Sequence, residues 1–299
     1  MSLEISVVIP TLNSAETIGN CLDAIGKSSA ELIVVDDHSS DDTQDIARSR
    51  GANVIDVRTK SAAAARNEGV AHSTADIIAF TDSDCIPSPD WTVSIQAAFR
   101  ELPSADIIGG SIGLREDTAF KRAYRAMYAL TDARCLGDSS IMLPAMNLAA
   151  RARVFKVVRF DETLPGALCD DVDFLQRART LGLSIRYRPE IKVTHLNPSS
   201  FRSFVRQEVR HGMGDLIFSR RYPEIASVRS TDLHTWIAES MLNITGHVRM
   251  ILMEAGTTNF LTLSAGVLNY LRHVAGGYGH IKARKLATRR SNSSPAHSR

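Results

Sequence analysis

The sequence predicts an α/β protein, with a mostly parallel central sheet, helices on both faces and a helical extension toward its C-terminal end. Three observations predict it. Apolar runs that do not alternate with polar residues recur through the first half, as strands buried on both faces must. Segments of 3.6-residue periodicity separate them and supply the crossover helices that parallel strands require. Polar and acidic residues stand where the apolar runs end, and open sheets of this kind bind ligands at the carboxyl ends of their strands.

In chain order, strands are expected at 5–10 (ISVVIP), 32–36 (LIVVD), 53–57 (NVIDV), 77–80 (IIAF) and 106–109 (DIIG). Helices are expected at 15–26, 42–50, 61–71 and 91–101. Ser39, Ser40 and Asp41 read as the cap of the second helix. The small residues of SAAAARNEG let the third helix approach the sheet closely. Farther on, 118–131 reads as a helix, 171–181 as a helix ended by Gly182, and 183–195 as two short strands around Pro189. Residues 200–219 and 233–280 are helical and amphipathic, and no internal repeat is present. The expected division is an α/β domain at 1–219, a helical segment packed on it at 220–281, and a tail at 282–299.

The net charge of +2 divides unevenly, because Lys282, Arg284, Lys285, Arg289, Arg290 and Arg299 lie in a tail without acids. The rest of the chain is therefore mildly acidic, which excludes a basic nucleic-acid-binding face. The tail reads as a solvated, disordered segment, with peripheral contact to an anionic membrane as the alternative. Four cysteines without CxxC or zinc-like spacing argue for free thiols in a reducing compartment. MSLEISVVIP lacks the pattern of a signal peptide, and the charge-free stretch 255–271 is too short and polar to span a bilayer. The expected location is cytoplasmic, with any membrane contact at the inner face.

The residues suited to chemistry stand at the strand ends. Thr11, Asn13 and Glu16 follow the first strand, Asp36 and Asp37 end the second, and Asp82 and Asp84 follow the fourth. If the chain stays extended there, residues i and i+2 point the same way, and two carboxylates converge on one cation with Ser83 as a spacer. Hard oxygen ligands suit Mg²⁺ or Mn²⁺. A plain Asx turn before Pro87 would also account for the two acids. A carboxylate at Asp37 can accept from a nucleotide base or a ribose hydroxyl. Arg66 suits a base or phosphate oxygen, or pairs at the surface with Glu68. Asp170, Asp171 and Asp173 crowd a helix N-terminus, where the dipole favours anions and Asp170 can serve as a cap.

Several stretches together resemble the family 2 glycosyltransferases: SVVIPTLNSAETIGNCLDAI, ELIVVDDHSSDDT, AAAARNEGVAHSTADIIAFTDSDC, MNLAARARVF and FDETLPGALCDDVDFLQRARTLG, in order over roughly residues 4–215. The resemblance implies a GT-A fold for the α/β domain and an inverting, nucleotide-sugar-dependent, metal-assisted single displacement. It implies a saccharide or lipid-linked acceptor and a place in cell-envelope polysaccharide synthesis. Carried over residue by residue, it makes Thr11, Asn13, Glu16, Asp37, Arg66 and Asp82 nucleotide-binding. Asp84 becomes the direct metal ligand, joined by Asp82 and, as an alternative to a packed histidine, by His195. Asp171 matches the catalytic base of the family's "ED" pair, whose usual Glu is here Asp170. Asn147, Asp170, Gln207 and Arg210, with Arg206 as an alternative arginine, fall to the diphosphate and acceptor. His211 stands where processive members carry Trp, a departure that argues against a processive polymerase.

Two rival classes fit less well. A nucleotidyltransferase that makes sugar nucleotides would open with a Gly-rich basic loop, which IPTLNSAET does not provide. A non-catalytic nucleotide-binding relative would be expected to lose the acids, whereas Asp37, Asp82, Asp84 and Asp171 are present. GGSIG at 109–113 has the wrong spacing for a dinucleotide fingerprint.

Overall fold

Val7 and Ile9 point to one face of the first strand and Val8 to the other, and all three are fully buried. The fourth strand repeats this, with Ile77 and Ala79 on one side and Ile78 and Phe80 on the other. A sheet with apolar side chains on both faces needs cover on both, and that requirement sets the architecture. The computed structural model describes residues 3–26, 29–59, 61–115, 118–122, 143–164, 169–196, 200–224, and 271, 274, 275 and 278.

The elements are β1 (Ile5–Thr11), α1 (Ile18–Ile25), β2 (Glu31–Asp36), α2 (Thr43–Ser49), β3 (Asn53–Asp56), α3 (Ala62–His72), β4 (Ile77–Phe80), β5 (Cys85–Pro87), α4 (Trp91–Glu101), β6 (Ile107–Leu114), β7 (Leu148–Arg151), α5 (Asp170–Thr180), β8 (Ile185–His195) and α6 (Phe201–Arg221). Short 3-10 turns at Ala145–Asn147 and Ala152–Lys156 flank β7. The sheet has eight strands in the order β3-β2-β1-β4-β7-β6-β8-β5. β3, β2, β1 and β4 run parallel, as does the β6–β8 pair, whereas β7 is antiparallel to both neighbours and β5 to β8.

One core, which includes Ile18, Leu22, Val34, Trp91, Ile95 and Phe99, packs α1 and α4 against the sheet. The other joins α3 and α5 to it through Ala63, Ala65, Phe155, Phe160 and Phe174. The Phe160 and Phe174 rings stack at 4.5 Å. Each fully buried Ile or Phe here contributes about 1.5–3 kcal/mol of apolar transfer. The alanines that open α3 are strong helix formers, and Ser61 caps the helix by accepting from the Ala64 N–H. Close approach is built in at Gly69, where a Cβ would lie 2.3 Å from Val8.

Three strands depart from the expected ones. β8 is a single strand through Pro189, but its pairing to β6 jumps from Arg188 to Lys192 opposite Gly110 and Ser111. Proline lacks the N–H that would continue the ladder, so a bulge carries the chain past it. Gly110 is required there, because a Cβ would lie 2.1 Å from the Ile191 carbonyl. β5 and β7 are too short, at three and four residues, to announce themselves by periodicity.

The chain forms two compact units, one of residues 1–115 and 137–196, the other of 116–136 and 197–299. The expected boundary at 219 thus falls inside the second unit, and the first unit holds the whole sheet. In the second unit α6 opens with a reciprocal Ser200–Ser203 capping box, and Phe120 packs edge-on against Phe204 at 6.1 Å. Residues 119–122 of the expected 118–131 helix are helical. The remainder of that helix, most of the 220–281 segment and the 282–299 tail lie outside the described residues. No described helix is long and apolar enough to cross a membrane.

Candidate active site

Three groups of polar side chains stand at the carboxyl ends of β1, β2 and β4 and beside them on α5. The first surrounds Asp36, the buried last residue of β2. It accepts hydrogen bonds from Thr11 Oγ1 at 2.9 Å, Ser39 N at 2.9 Å, Ser39 Oγ at 2.5 Å and Gln44 Nε2 at 2.7 Å. Burial pushes its carboxyl up, but the bonds from Ser39, Gln44 and Thr11 outweigh that and hold it below the ordinary value. Thr11, expected to meet the nucleotide, is buried and spends its hydroxyl proton on Asp36. Asp37 accepts from the Thr59 N–H at 2.7 Å, joining the ends of β2 and β3. Asn13 adopts a left-handed φ of 49° and accepts from Ser40 N at 2.9 Å. Its exposed side chain, like that of Glu16, lies on the loop between β1 and α1. The strand-end pattern exposed Asp36 and Asp37 together; which of them is the buried anchor followed only from the packing.

The second group is the acidic turn after β4. Asp82 and Asp84 are not on an extended strand as expected. The Cys85 N–H returns to the Asp82 carbonyl at 3.0 Å and closes a turn whose central residues are Ser83 and Asp84. Ser83 is more than a spacer, since its hydroxyl donates to Ser14 Oγ at 2.8 Å and ties the turn to the loop after β1. Antiparallel pairing of Cys85 with His195 brings the imidazole to the turn, and Leu196 N–H holds the Asp84 carbonyl at 2.9 Å. His195 Nε2 lies 3.3 Å from Asp84 Oδ2. Burial pushes the His195 pKa down, but the bond and charge of Asp84 outweigh it and leave it raised.

Asp84, Cys85 and His195 place one ligand atom each within 4.8 Å of one another. Burial, reinforced by Asp82 and Asp84, drives the Cys85 thiol pKa far up, so it remains a thiol and a poor ligand. Carboxylate and imidazole donors remain, a set that fits Mn²⁺ or Mg²⁺.

The third group centres on Arg66, which is 5% exposed. Its Nη1 donates to Asp170 Oδ2 at 2.5 Å and its Nη2 to Asp82 Oδ1 at 3.0 Å, while Cζ sits 5.6 Å from the Phe160 ring. Arg66, expected to reach the nucleotide, here joins the acidic turn to the first residue of α5. Asp170, expected near the diphosphate or acceptor, is likewise buried as an arginine partner. Asp171 is half-buried and accepts from Val172 N at 2.8 Å and Ala145 N at 3.3 Å. Burial and then the Asp170 charge raise its pKa, with Arg66 pulling the other way. Asp82 is raised too, by burial first, against the pull of Arg66.

Asn67, next to Arg66, was not singled out from sequence. Its amide exchanges hydrogen bonds with the Phe160 backbone, at 2.9 Å to the carbonyl and 3.1 Å from the N–H, and also donates to Glu162 at 2.8 Å. Consecutive residues of α3 thus fix the segment before α5 and α5 itself. Asn147, expected to line an acceptor pocket, is buried, accepts from Trp91 Nε1 at 2.8 Å and donates to the Ser111 and Ile191 carbonyls at 2.8 and 3.0 Å. Its amide N–H groups are spent on the β6–β8 bulge. Arg206, Gln207 and Arg210 lie on α6 in the second unit, the two arginines exposed and Gln207 half-buried.

A family model described as Glycosyl transferase family 2 matches residues 6–161. The chain is 28% identical over 258 residues to the pre-mycofactocin glycosyltransferase of Mycobacterium tuberculosis, covering 80% of this chain and 53% of that protein. It is 28% identical over 228 residues to glycosyltransferase AglE of Haloferax volcanii, covering 71% and 73%. The chain thus spans about half the length of the first of these relatives. Among solved structures it is similar to glucosyl-3-phosphoglycerate synthase from Mycobacterium tuberculosis in complex with Mn²⁺, UDP and phosphoglyceric acid. The TM-score is 0.55 and the identity 22%, over 73% of this chain and 78% of the other. Staphylococcus aureus TarS matches with TM-score 0.52 and 18% identity, over 93% and 54%. These likenesses identify the fold as GT-A.

Proposed function

The chain belongs to glycosyl transferase family 2, and from that premise we propose that it transfers a sugar from a nucleoside-diphosphate donor, UDP-linked, to an acceptor hydroxyl with inversion. The observation that carries the reading is the bridge Asp82–Arg66–Asp170, which fixes the acidic turn and the Asp171 helix in one site. Asp171 is the base. Its raised proton affinity suits a carboxylate that must take a proton from an attacking hydroxyl. Two backbone N–H groups orient it, so its rotamer is set before an acceptor arrives. Asp37, Asn13 and Glu16 form the base and ribose side of the donor site at the ends of β1 and β2.

Asp84 and His195, with Asp82 beside them, hold Mn²⁺ or Mg²⁺. Such a cation offsets the negative charge that grows on a departing diphosphate. Support comes from the similar synthase structures, which contain Mn²⁺ with UDP or UDP-glucose. Gln207 with Arg210 or Arg206 serves the diphosphate and acceptor, as the family resemblance implies. The acceptor is a saccharide or lipid-linked saccharide of the cell envelope, met at the inner face of a membrane through the basic 282–299 tail.

The test is a panel of nucleotide sugars with and without Mn²⁺, read by thermal shift and by release of nucleoside diphosphate. UDP-sugars with Mn²⁺ are expected to raise the melting temperature and to turn over once an acceptor is supplied. Asp171→Asn should retain the shift and lose turnover. A variant that turns over at the wild-type rate would remove Asp171 as base, and a panel that binds nothing would remove the donor reading.

A further inference from the structure

Resting on that assignment of Asp171, we propose that Arg66 is a positioning residue that ties the proton affinity of Asp171 to occupation of the acidic turn. One guanidinium is shared between carboxylates from two separate elements: Asp82 in the turn after β4 and Asp170 at the start of α5. Arg66 is 5% exposed; Asp170 is buried with it, and Asp82 is half-buried. Its Nε is buried with no hydrogen-bond partner, so the cation is held with donor capacity unspent. An arginine in such a place cannot give up its proton. It can only redistribute a fixed charge among its acids.

Acids outnumber cations around it. Facing Asp171 are Asp170 beside it on α5, Arg66 from α3, and the Ala145 N–H from the 3-10 turn. Asp173, farther along α5, is turned to Arg177 at 2.8 Å. Beyond Arg66 lie Asp82, then Asp84 with His195. With the turn empty, Asp82 claims part of the guanidinium. Asp171 then feels Asp170 with incomplete relief and binds its proton more tightly. A divalent cation held by the acidic turn would offset part of the charge of Asp82. The guanidinium then serves Asp170 and Asp171 alone, and Asp171 releases its proton more readily. The base is thereby readied when the donor site fills, with no movement of α5 required.

The experiment is a pH titration of the full chain labelled with ¹³C at the aspartate side-chain carboxyl, the Asp171 signal being identified by its loss in Asp171→Asn. Mg²⁺ with UDP is the probe, both being diamagnetic. In the wild type, adding it should move the Asp171 midpoint down by about one pH unit. In Arg66→Gln the same addition should leave the midpoint nearly in place, although thermal shift still reports Mg²⁺–UDP binding. Should that variant not fold, Arg66→Lys keeps a charge but cannot span two carboxylates in one plane, and its displacement should fall to less than about half. Equal displacement in the wild type and the variant, with binding intact in both, overturns the role of Arg66 and leaves the donor-site reading standing. No thermal shift with Mg²⁺–UDP in the wild type overturns both.

Discussion

Asp36 and Asp171 are chemically identical side chains whose surroundings drive them in opposite directions. Asp36 accepts four hydrogen bonds and is held below the ordinary carboxylate range. Asp171 is half-buried beside another acid and is held above it. Because the folded Asp36 titrates low, it contributes stability above the unfolded value near 3.8, and that contribution is lost as pH falls through the folded pKa. Asp36→Ala strands the donors of Thr11, Ser39 and Gln44 and should cost about 3 kcal/mol in urea denaturation at neutral pH. Asp36→Asn should flatten the acid side of the stability profile. Asp171→Asn should lower transfer by about 10²–10⁴-fold with UDP affinity unchanged, measured by initial rates and calorimetry. An equal loss of UDP affinity would assign Asp171 to binding. The acids at the strand ends were legible in the sequence because apolar runs stopped at them. Whether each was an anchor, a ligand or a base was not, because that depends in part on hydrogen bonds from residues up to 104 positions away.

At the scale of elements, the β1–α1–β2–α2–β3–α3–β4 half was readable because each run carries one period and ends in polar residues. β5 and β7 were not readable, since three or four residues hold too little pattern and their antiparallel partners are distant in sequence. The small residues of α3 were read as allowing close packing, and Gly69 shows how close. Gly69→Ala puts a methyl group 2.3 Å from Val8 Cγ1. Val8 is sealed in the core, so the helix must shift, and a loss of about 1–3 kcal/mol is expected in chemical denaturation. Gly110→Ala should cost more, because the obstacle there is the Ile191 carbonyl in the backbone of the bulge. A variant as stable as the wild type at either position would mean that its strand can give way.

For the molecule as a whole, the first unit contains every described strand, both halves of the described core and the candidate base and metal residues, while α6 with Gln207 lies in the second. If donor and cation occupy one site, each should strengthen the other. With Mn²⁺ and UDP each near 100 times its dissociation constant, the native state should gain about 2.7 kcal/mol or more. The shift with both should exceed the sum of the separate shifts in a melting experiment, and a chelator should abolish the excess. His195→Ala should remove most of the dependence on Mn²⁺ and, by deleting a buried imidazole paired with Asp84, should also lower the metal-free melting temperature. Simple additivity of the two ligands would place them at separate sites.

Leu196 is the last residue of the first unit's second segment, and its amide donates to the Asp84 carbonyl. The chain therefore leaves the sheet through a bond made to the same turn that supplies the cation's carboxylate. Any ligand that steadies Asp84 and His195 also steadies that exit. The Leu196 amide should exchange its hydrogen with solvent slowly when the turn is loaded and faster when it is stripped, which makes one backbone proton a local gauge of occupancy at the site.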